Sequence, residues 1–576
     1  MLSFLTILAL LCIPPTLYKL FSFAKNIQSA KATGLPYTIS PLHEFEIWTY
    51  ITDPILRRAY ADYLMKDKGW PKWARFMIKD WMYEGKGRAH KEFGGVFLVV
   101  SPGGIVCYVG NAKTAMSVCS RRKDFIKPPE KMKMLEPFGP NVVSTEGDLW
   151  RFHLRITLPP FGEVVNRLVW SETFRQTDLL ASSWASVGSG SLKTDIYSLT
   201  VNVMSCVGFG KQAEWTDDAN AVPAGHELTL VSSIFGVVNH LPHILLLPKT
   251  ALKHSPWKFA YKAYVEFKKY MHEFLAEEKA KMTSDSMYES KVKGNVLTAV
   301  LKSNASNKKE NIVGPEGRTS LTDDEILGNV FMFLLAGYDT TANTILFSST
   351  VLTLYDDIQG RMIEEIDRVH SEAESAGRKE LSYVEDLPKF RYILAFMYEV
   401  MRVFPIVIPI GRMVTREQEL VVENASKAAK STAHVLPPNT GVIVNNTGIH
   451  HSQDYWPNPH IIEPRRWLTS CPNTYDPLHP TPAQEAEILS GTVPIPSHIK
   501  GTFLTFNEGP RACLGRRFAQ VEFIAFFSRL LKQYRLTLGG VARRDEVEKM
   551  IRLRSGGSPV TLVPPEDVKV YLTSRS

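Results

Sequence analysis

The apolar residues of this 576-residue chain fall into an uncharged run at the amino terminus, two short strand-like runs and a long middle region with helical spacing. Val96–Val100 and Ile105–Val109 are rich in β-branched residues and flank Ser101–Gly104, which predicts a hairpin. From Trp150 to Phe404 the apolar positions recur mainly with the helical period. The pattern predicts a mainly α protein with small β-sheets near the two ends of the chain, an α+β fold class.

The amino-terminal run, Met1–Tyr18, has no charged side chain, and basic residues begin at Lys19. At about 1.5 Å per residue, such a helix nearly spans the hydrocarbon core of a bilayer. A cleaved signal peptide is the alternative, but it would carry a basic segment before the apolar stretch. Positive charge after the helix favours the cytosol for the rest of the chain. We expect a transmembrane anchor over residues 1–22, a linker over 23–44 and one cytosolic domain over 45–576.

Composition excludes several classes of protein. Hydrophobic residues make up 44% and charged residues 22%, which is typical of a packed globular protein. The net charge of +8 is diffuse, which argues against nucleic-acid binding and suits a membrane surface or an acidic protein partner. None of the cysteines has disulfide-framework or zinc-site spacing, so each is first interpreted as a buried thiol. They are Cys12, Cys107, Cys119, Cys206, Cys471 and Cys513.

The loop around Cys513 departs from that interpretation. Its fixed positions are Phe506, Gly509, Arg511, Cys513 and Gly515, and a helical pattern follows at once. A helix that starts just after a cysteine directs its positive end at the sulfur and stabilises a thiolate. If the thiolate binds a haem iron, glycine lets the backbone turn beside the flat ring and lets the helix approach closely. The aromatic residue can then shield the sulfur, and the arginine can pair with a haem propionate.

The spacing Phe-x-x-Gly-x-Arg-x-Cys-x-Gly resembles the signature of the cytochrome P-450 superfamily, and every fixed position matches. The resemblance implies the cytochrome P-450 fold, preceded here by the membrane helix. It also implies haem b (iron protoporphyrin IX) as the cofactor, with Cys513 as the iron ligand.

A second segment predicts a buried helix with chemistry in its centre. Thr322–Glu325 indicates a capping box, and Ile326–Leu335 has almost no polar residue, as in a helix at the core of a large protein. Ala336 and Gly337 would let a flat ring and a diatomic ligand lie against the backbone.

Two polar residues follow in the same helix. Thr340 could hydrogen-bond bound oxygen or a water, and Asp339 could supply protons. The alternative is a kink in which Thr340 bonds back to a carbonyl of the preceding turn. Because the segment also resembles the oxygen-activating helix of the family, we assign Thr340 and Asp339 as catalytic.

The family resemblance extends to two further clusters. Glu399 and Arg402 share one helix face and, with Arg466, are expected to form a structural triad behind the haem. The segment from Glu146 to Arg155 resembles the family's helix that contacts the propionates. Many members place a basic residue four positions after the tryptophan.

Leu154 occupies that basic position here. His153 lies about 60° from Trp150 around the helix, whereas Arg155 lies about 140° away. We therefore expect Trp150 and His153 to face the propionates, with a packing role for His153 as the alternative.

The resemblance implies a monooxygenase: one atom of O2 enters the substrate and the other leaves as water, with electrons from NADPH. The sequence contains no Walker loop and no Gly-x-Gly-x-x-Gly segment after a strand. The electrons are therefore expected from a separate NADPH–cytochrome P-450 reductase, with cytochrome b5 as a second donor. Arg511, Arg516 and Arg517 give the Cys513 side a positive charge suited to such a partner.

The family resemblance implies that Phe404–Ile410 lines the substrate pocket, and because this run has no charge we expect a lipophilic small-molecule substrate. The chain resembles fungal microsomal members that tailor secondary metabolites such as terpenoids at the endoplasmic reticulum membrane. A fatty-acid or steroid hydroxylase, an O2-independent rearranging enzyme and a non-catalytic haem protein are the alternatives.

Overall fold

The computed structural model describes residues 4–46, 48–60, 70–187, 191–213, 222–284, 294–423, 431–495, 498–539, 543–553, 556–557, 561–564 and 568–575. Residues 4–16, 50, 185–187, 283–284 and 556–557 are described by their backbone alone.

Helices dominate the described residues, as the apolar pattern predicts. They are α1 (Phe4–Ala32), α2 (Thr49–Ala59), α3 (Trp81–Gly85), α4 (Arg88–Phe93), α5 (Ala112–Ser120), α6 (Pro129–Met132), α7 (Gly147–Thr157), α8 (Glu163–Val187), α9 (Leu192–Phe209), α10 (Leu230–Asn239), α11 (Leu241–Leu246), α12 (Lys249–Lys253), α13 (Lys258–Ser284), α14 (Val296–Lys309), α15 (Asp323–Leu354), α16 (Asp356–Ser375), α17 (Tyr383–Asp386), α18 (Arg391–Val403), α19 (Asn446–His450), α20 (Pro482–Ser490), α21 (Arg516–Gln533) and α22 (Arg544–Leu553).

The strands form small sheets. They are β1 (Tyr37–Ile39), β2 (Val96–Ser101), β3 (Gly104–Val109), β4 (Pro409–Met413), β5 (Gln418–Val422), β6 (Thr432–Leu436), β7 (Gly441–Asn445), β8 (Tyr534–Leu538), β9 (Gly556–Gly557), β10 (Leu562–Val563) and β11 (Val570–Ser574). One five-stranded sheet has the order β1-β2-β3-β7-β4, and β5–β6, β8–β11 and β9–β10 form pairs. The predicted hairpin is confirmed as β2–β3, with Val96 opposite Val109 and Ser101 opposite Gly104.

The chain divides into two compact units. The first comprises Met1–Pro128, Met401–Cys513 and Arg552–Ser555, and it contains the five-stranded sheet, the β5–β6 pair and Cys513. The second comprises Pro129–Val400, Leu514–Ile551 and Gly556–Ser576, and it contains α15.

The expected anchor, residues 1–22, lies mostly outside the residues whose side chains are described. The backbone of α1 is helical from Phe4 to Ala32. Among the described residues one helix, α15, is long and apolar enough to cross a membrane, but 78% of its most apolar stretch is buried, as in a core helix. The segment expected as a linker, 23–44, contains the end of α1 and strand β1, which pairs in parallel with β2.

Two buried arginines hold the irregular chain that leads to Cys513. Both are fully buried, as is Glu399. The Arg402 guanidinium donates to the carbonyl oxygens of His450, Pro459 and Ile461 at 2.9, 2.8 and 3.1 Å. The Arg466 guanidinium donates to the carbonyl oxygens of Pro457, Asn458, Tyr475 and Ile461 at 2.9, 3.0, 3.0 and 3.4 Å. The two arginines of the expected triad thus meet at one carbonyl, that of Ile461.

The same scaffold continues towards the cysteine loop. His450, whose carbonyl accepts from Arg402, accepts the Leu504 amide hydrogen at its Nε2, 3.0 Å away. The Thr505 hydroxyl donates to the Met401 carbonyl at 3.3 Å. The backbone amide of Leu504 and the backbone carbonyl of Met401 are therefore both hydrogen-bonded near the start of the cysteine loop.

We predict that Arg466→Lys lowers the free energy of unfolding by on the order of 3 kcal/mol, because one ammonium cannot reach four carbonyls that the planar guanidinium serves. Arg465→Lys is the matched control. Because Arg465 is partly exposed and pairs with Glu463, this substitution should lower the free energy of unfolding by less than about 1 kcal/mol. Urea denaturation followed by circular dichroism measures both. Equal losses would show that the carbonyl contacts are not what stabilises this segment.

Candidate active site

Cys513 differs from the other described cysteines in its exposure. Cys107, Cys119 and Cys206 are buried and Cys471 is half-buried, whereas Cys513 is exposed and in no disulfide. The Cys513 amide donates to the Phe506 carbonyl at 2.8 Å, which closes the loop, and the Phe506 side chain is buried. The loop therefore presents an accessible thiol on a closed backbone turn.

Glycine is required at position 509 for two reasons. Its φ is +72°, and a Cβ there would lie 2.8 Å from the Cys119 carbonyl oxygen at the end of α5. The turn predicted from the sequence is present, but the close neighbour is the backbone of α5. Gly515 has φ −85°, which any residue adopts, and it immediately precedes α21.

Asn507 is a loop residue that the sequence analysis missed. It has φ +58°, and its amide nitrogen donates to the Arg511 carbonyl at 3.0 Å. Its side-chain oxygen accepts the Glu508 amide hydrogen at 2.8 Å. Asparagine tolerates this left-handed backbone better than most residues, which is the sequence signal that could have found it. Arg511 itself is half-buried.

Helix α15 leaves one face uncovered. It begins with the predicted capping box. The Thr322 hydroxyl oxygen accepts the backbone amide hydrogen of Glu325, and the Glu325 carboxylate accepts that of Thr322. From Glu325 to Leu354 every residue except Ala336, Gly337 and Thr340 is buried. Positions i, i+1 and i+4 share one side of a helix, so these three residues form a single accessible patch on a core helix.

The two small residues of this patch differ in their surroundings. Ala336 is exposed. A Cβ at Gly337 would lie 2.8 Å from the sulfur of Met204, so this glycine lets α9 approach α15. Helix packing is therefore a reason for glycine at position 337 that the sequence analysis did not include.

The Thr340 hydroxyl donates to the Ala336 carbonyl at 2.6 Å. This is the back-bond of the alternative interpretation, although α15 continues to Leu354 without interruption. A hydroxyl that donates in this way still has lone pairs that can accept a hydrogen bond from a ligand or water.

Asp339 is buried and its carboxylate accepts three hydrogen bonds. The donors are Tyr197 at 3.1 Å, Thr561 at 2.7 Å and the Asn343 amide at 3.3 Å. Burial raises the pKa of Asp339 and outweighs these hydrogen bonds, which lower it. The group is therefore more readily protonated than an exposed aspartate.

His153, which the sequence analysis expects at the propionates, packs against the start of α15 in the structure. It is fully buried, its Nδ1 lies 2.9 Å from the Asn329 amide, and its Nε2 lies 3.4 Å from the Glu325 carboxylate. Burial would raise the pKa of Glu325, but hydrogen bonds from His153, the Thr322 backbone and Arg318 lower it to about 2. His153 thus fastens α7 to the start of α15, which matches the packing alternative.

The angles of residues around α7 correctly predicted which of its faces is buried. Trp150 is buried beside His153, whereas Arg155 is exposed. These angles could not predict which residues pack against the buried face.

Comparisons with known proteins identify the family of this chain. The family model for cytochrome P-450 matches residues 73–560. The chain belongs to the cytochrome P-450 family. A cytochrome P-450 monooxygenase of Penicillium rubens, prx9, is 39% identical over 568 residues, covering 97% of this chain and 96% of the relative. The phomenoic acid biosynthesis cluster cytochrome P-450 monooxygenase of Leptosphaeria maculans is 23% identical, covering 92% and 91%.

A zebra fish cytochrome P-450 structure with progesterone has the same fold, with a TM-score of 0.62 and 18% identity. It covers 86% of this chain and 99% of that chain. The cytochrome P-450 fold expected from the Cys513 motif is thereby confirmed. Because the relatives are monooxygenases, the protein is an oxidoreductase of this class.

We predict that Gly509→Ala lowers the free energy of unfolding by about 2 kcal/mol or more, because strain at positive φ adds to the close contact with Cys119. Gly491→Ala is the control: its φ is +63° but no atom lies within 4 Å of a Cβ there, so about 1 kcal/mol is expected. Thermal and urea unfolding measure the two losses. If they are equal, the contact with α5 is unimportant.

Proposed function

We propose that this protein is a membrane-anchored haem-thiolate monooxygenase that inserts one oxygen atom of O2 into a lipophilic small molecule. The observation that carries the proposal is the accessible Cys513 thiol within a loop that matches the family signature.

The residues present fit haem b. Cys513 is the accessible thiol, buried Phe506 would shield the sulfur, and half-buried Arg511 would pair with a propionate. When bound, a thiolate-ligated haem supplies the activation of O2, since the sulfur donates electron density that favours O–O cleavage.

Thr340 and Asp339 have different roles in proton delivery. Thr340 lies on the accessible patch, where its hydroxyl can hold a water or an oxygen ligand. Asp339 is one residue away, buried, and biased towards its protonated form. It can therefore hold a proton until one is needed.

The substrate class follows from apolar chemistry. The run Phe404–Ile410 has no charge, and Phe404, Ile406 and Ile408 are buried. Lipophilic molecules are held mainly by such surfaces. One relative belongs to a phomenoic acid biosynthesis cluster, which supports the tailoring of a fungal secondary metabolite, for example a terpenoid.

The electrons come from NADPH through a separate NADPH–cytochrome P-450 reductase, with cytochrome b5 as a further donor, since the sequence contains no dinucleotide-binding motif. We place the protein at the endoplasmic reticulum membrane, with residues 1–22 as the anchor and the remaining domain in the cytosol. Exposed Leu17, Tyr18, Leu20 and Phe21 of α1 are consistent with lipid contact.

The decisive test of the iron ligand is Cys513→Ser. We expect this variant to lose the carbon-monoxide difference band of a reduced thiolate-ligated haem, because a serine oxygen does not replace the thiolate. Cys471→Ser, at the other cysteine that is not fully buried, should keep the band. Retention of the band in the Cys513 variant would exclude Cys513 as the ligand.

The wild-type protein in membranes with reductase should consume NADPH and O2 and convert candidate lipophiles to products 16 mass units heavier. Uptake of NADPH and O2 without any such product would leave the monooxygenase proposal unsupported for those substrates. Absence of both O2 uptake and any substrate-induced spin shift would favour a haem-binding protein.

A further inference from the structure

The protons that Asp339 passes on must reach it through neutral groups. No salt bridge to Asp339 occurs among the residues that the structure describes, and its direct partners are Tyr197, Thr561 and Asn343. Lys193, one turn before Tyr197 on α9, acts on Asp339 only through longer-range charge. The carboxyl is thus not fixed in its ionised form by a neighbouring cation.

The partners can serve both protonation states of Asp339. The Tyr197 hydroxyl has one hydrogen but two acceptors, Asp339 Oδ1 and Asn343 Oδ1, both at 3.1 Å. When the carboxylate is ionised, Tyr197 donates to it. When Oδ1 carries a proton, it can donate to the Tyr197 oxygen while Tyr197 turns to Asn343. The network stays hydrogen-bonded in either state, so a proton can be gained or lost without leaving a buried group unpaired.

Among the described hydrogen-bond partners of Asp339, one is partly exposed. Asp339, Asn343 and Thr561 are buried, whereas Tyr197 is half-buried. Tyr338 packs edge-on against Tyr197, with ring centroids 5.9 Å apart, and is itself buried. Tyr197 is therefore the described partner of Asp339 that solvent can reach.

We propose that Tyr197 relays protons from solvent to Asp339, with Asn343 holding the hydroxyl when Asp339 is protonated. The inference rests on the proposed role of Asp339 in supplying protons for oxygen activation. In each transfer the Tyr197 O–H bond breaks as a bond to Asp339 Oδ1 forms, and water returns a proton to the Tyr197 oxygen. Burial raises the pKa of Tyr197 well above its usual value, so the phenolate does not accumulate and the two transfers must be coupled.

Tyr197→Phe tests the relay, and Tyr338→Phe is the matched control on the other face of the same cluster. The first readout is the infrared C=O band of protonated Asp339, assigned with Asp339→Asn and followed against pH. Loss of the Tyr197 donor should make the carboxylate harder to form, so the band should persist to a pH about one unit higher. The control should leave the band unchanged.

The second readout requires the haem-loaded enzyme with reductase. We expect Tyr197→Phe to lower product formed per NADPH on the order of tenfold, to raise peroxide release, and to enlarge the solvent deuterium isotope effect. Tyr197→His, which can also pass a proton, should restore part of the coupling.

An unchanged band in Tyr197→Phe would overturn the proposed contact with Asp339. A shifted band with normal coupling would show a contact without a relay, which also overturns the proposal. Because the infrared band does not depend on turnover, failure of the monooxygenase proposal itself is distinguishable: the band would shift, but neither protein would form product.

Discussion

Hydrogen bonding of buried backbone carbonyls is the constraint on which the cysteine loop depends. Between His450 and the loop, the described residues form little regular secondary structure apart from α20, so several backbone carbonyl oxygens need partners outside a helix or sheet. Arg402 and Arg466 supply the donors, seven contacts in all to six carbonyls. A planar guanidinium with five N–H groups suits this task, because many acceptors can be reached from one buried side chain.

The central helix shows the opposite arrangement. Its burial is nearly complete, and the one charged residue beyond its first turn is Asp339. A carboxyl in such surroundings is costly unless donors surround it. Here two hydroxyls and an amide do so without a direct cation, which keeps the proton affinity of the group adjustable.

Local motifs could be predicted from the sequence because their partners are a few residues apart. The β2–β3 hairpin and the Thr322–Glu325 capping box are confirmed. The Cys513 signature sufficed to name the fold, which the comparisons confirm. Each of these patterns depends on short-range geometry that periodicity and residue type encode directly.

Long-range partners could not be predicted in the same way. Tyr197 and Thr561 lie 142 and 222 residues from Asp339, and no spacing rule connects them. For His153, the angles around the helix predicted the buried face, but Asn329 and Glu325 reach that face only through tertiary packing. The close neighbour of Gly337, Met204, belongs to another helix and was likewise not predictable. Folding decides these pairings, and a single sequence does not display them.

The pairing of β1 with β2 bears on how the chain can be shortened. Tyr37–Ile39 covers the edge of β2, and Pro36 and Ser40 extend the hydrogen bonding to Leu98 and Val100. A chain trimmed beyond Ser40 to remove the amino-terminal helix would expose the apolar edge of Val96–Ser101. Unprotected edges of this kind recruit strands from other molecules. A version of the protein that lacks the amino-terminal helix should therefore begin before Leu35, so that β1 still covers this edge.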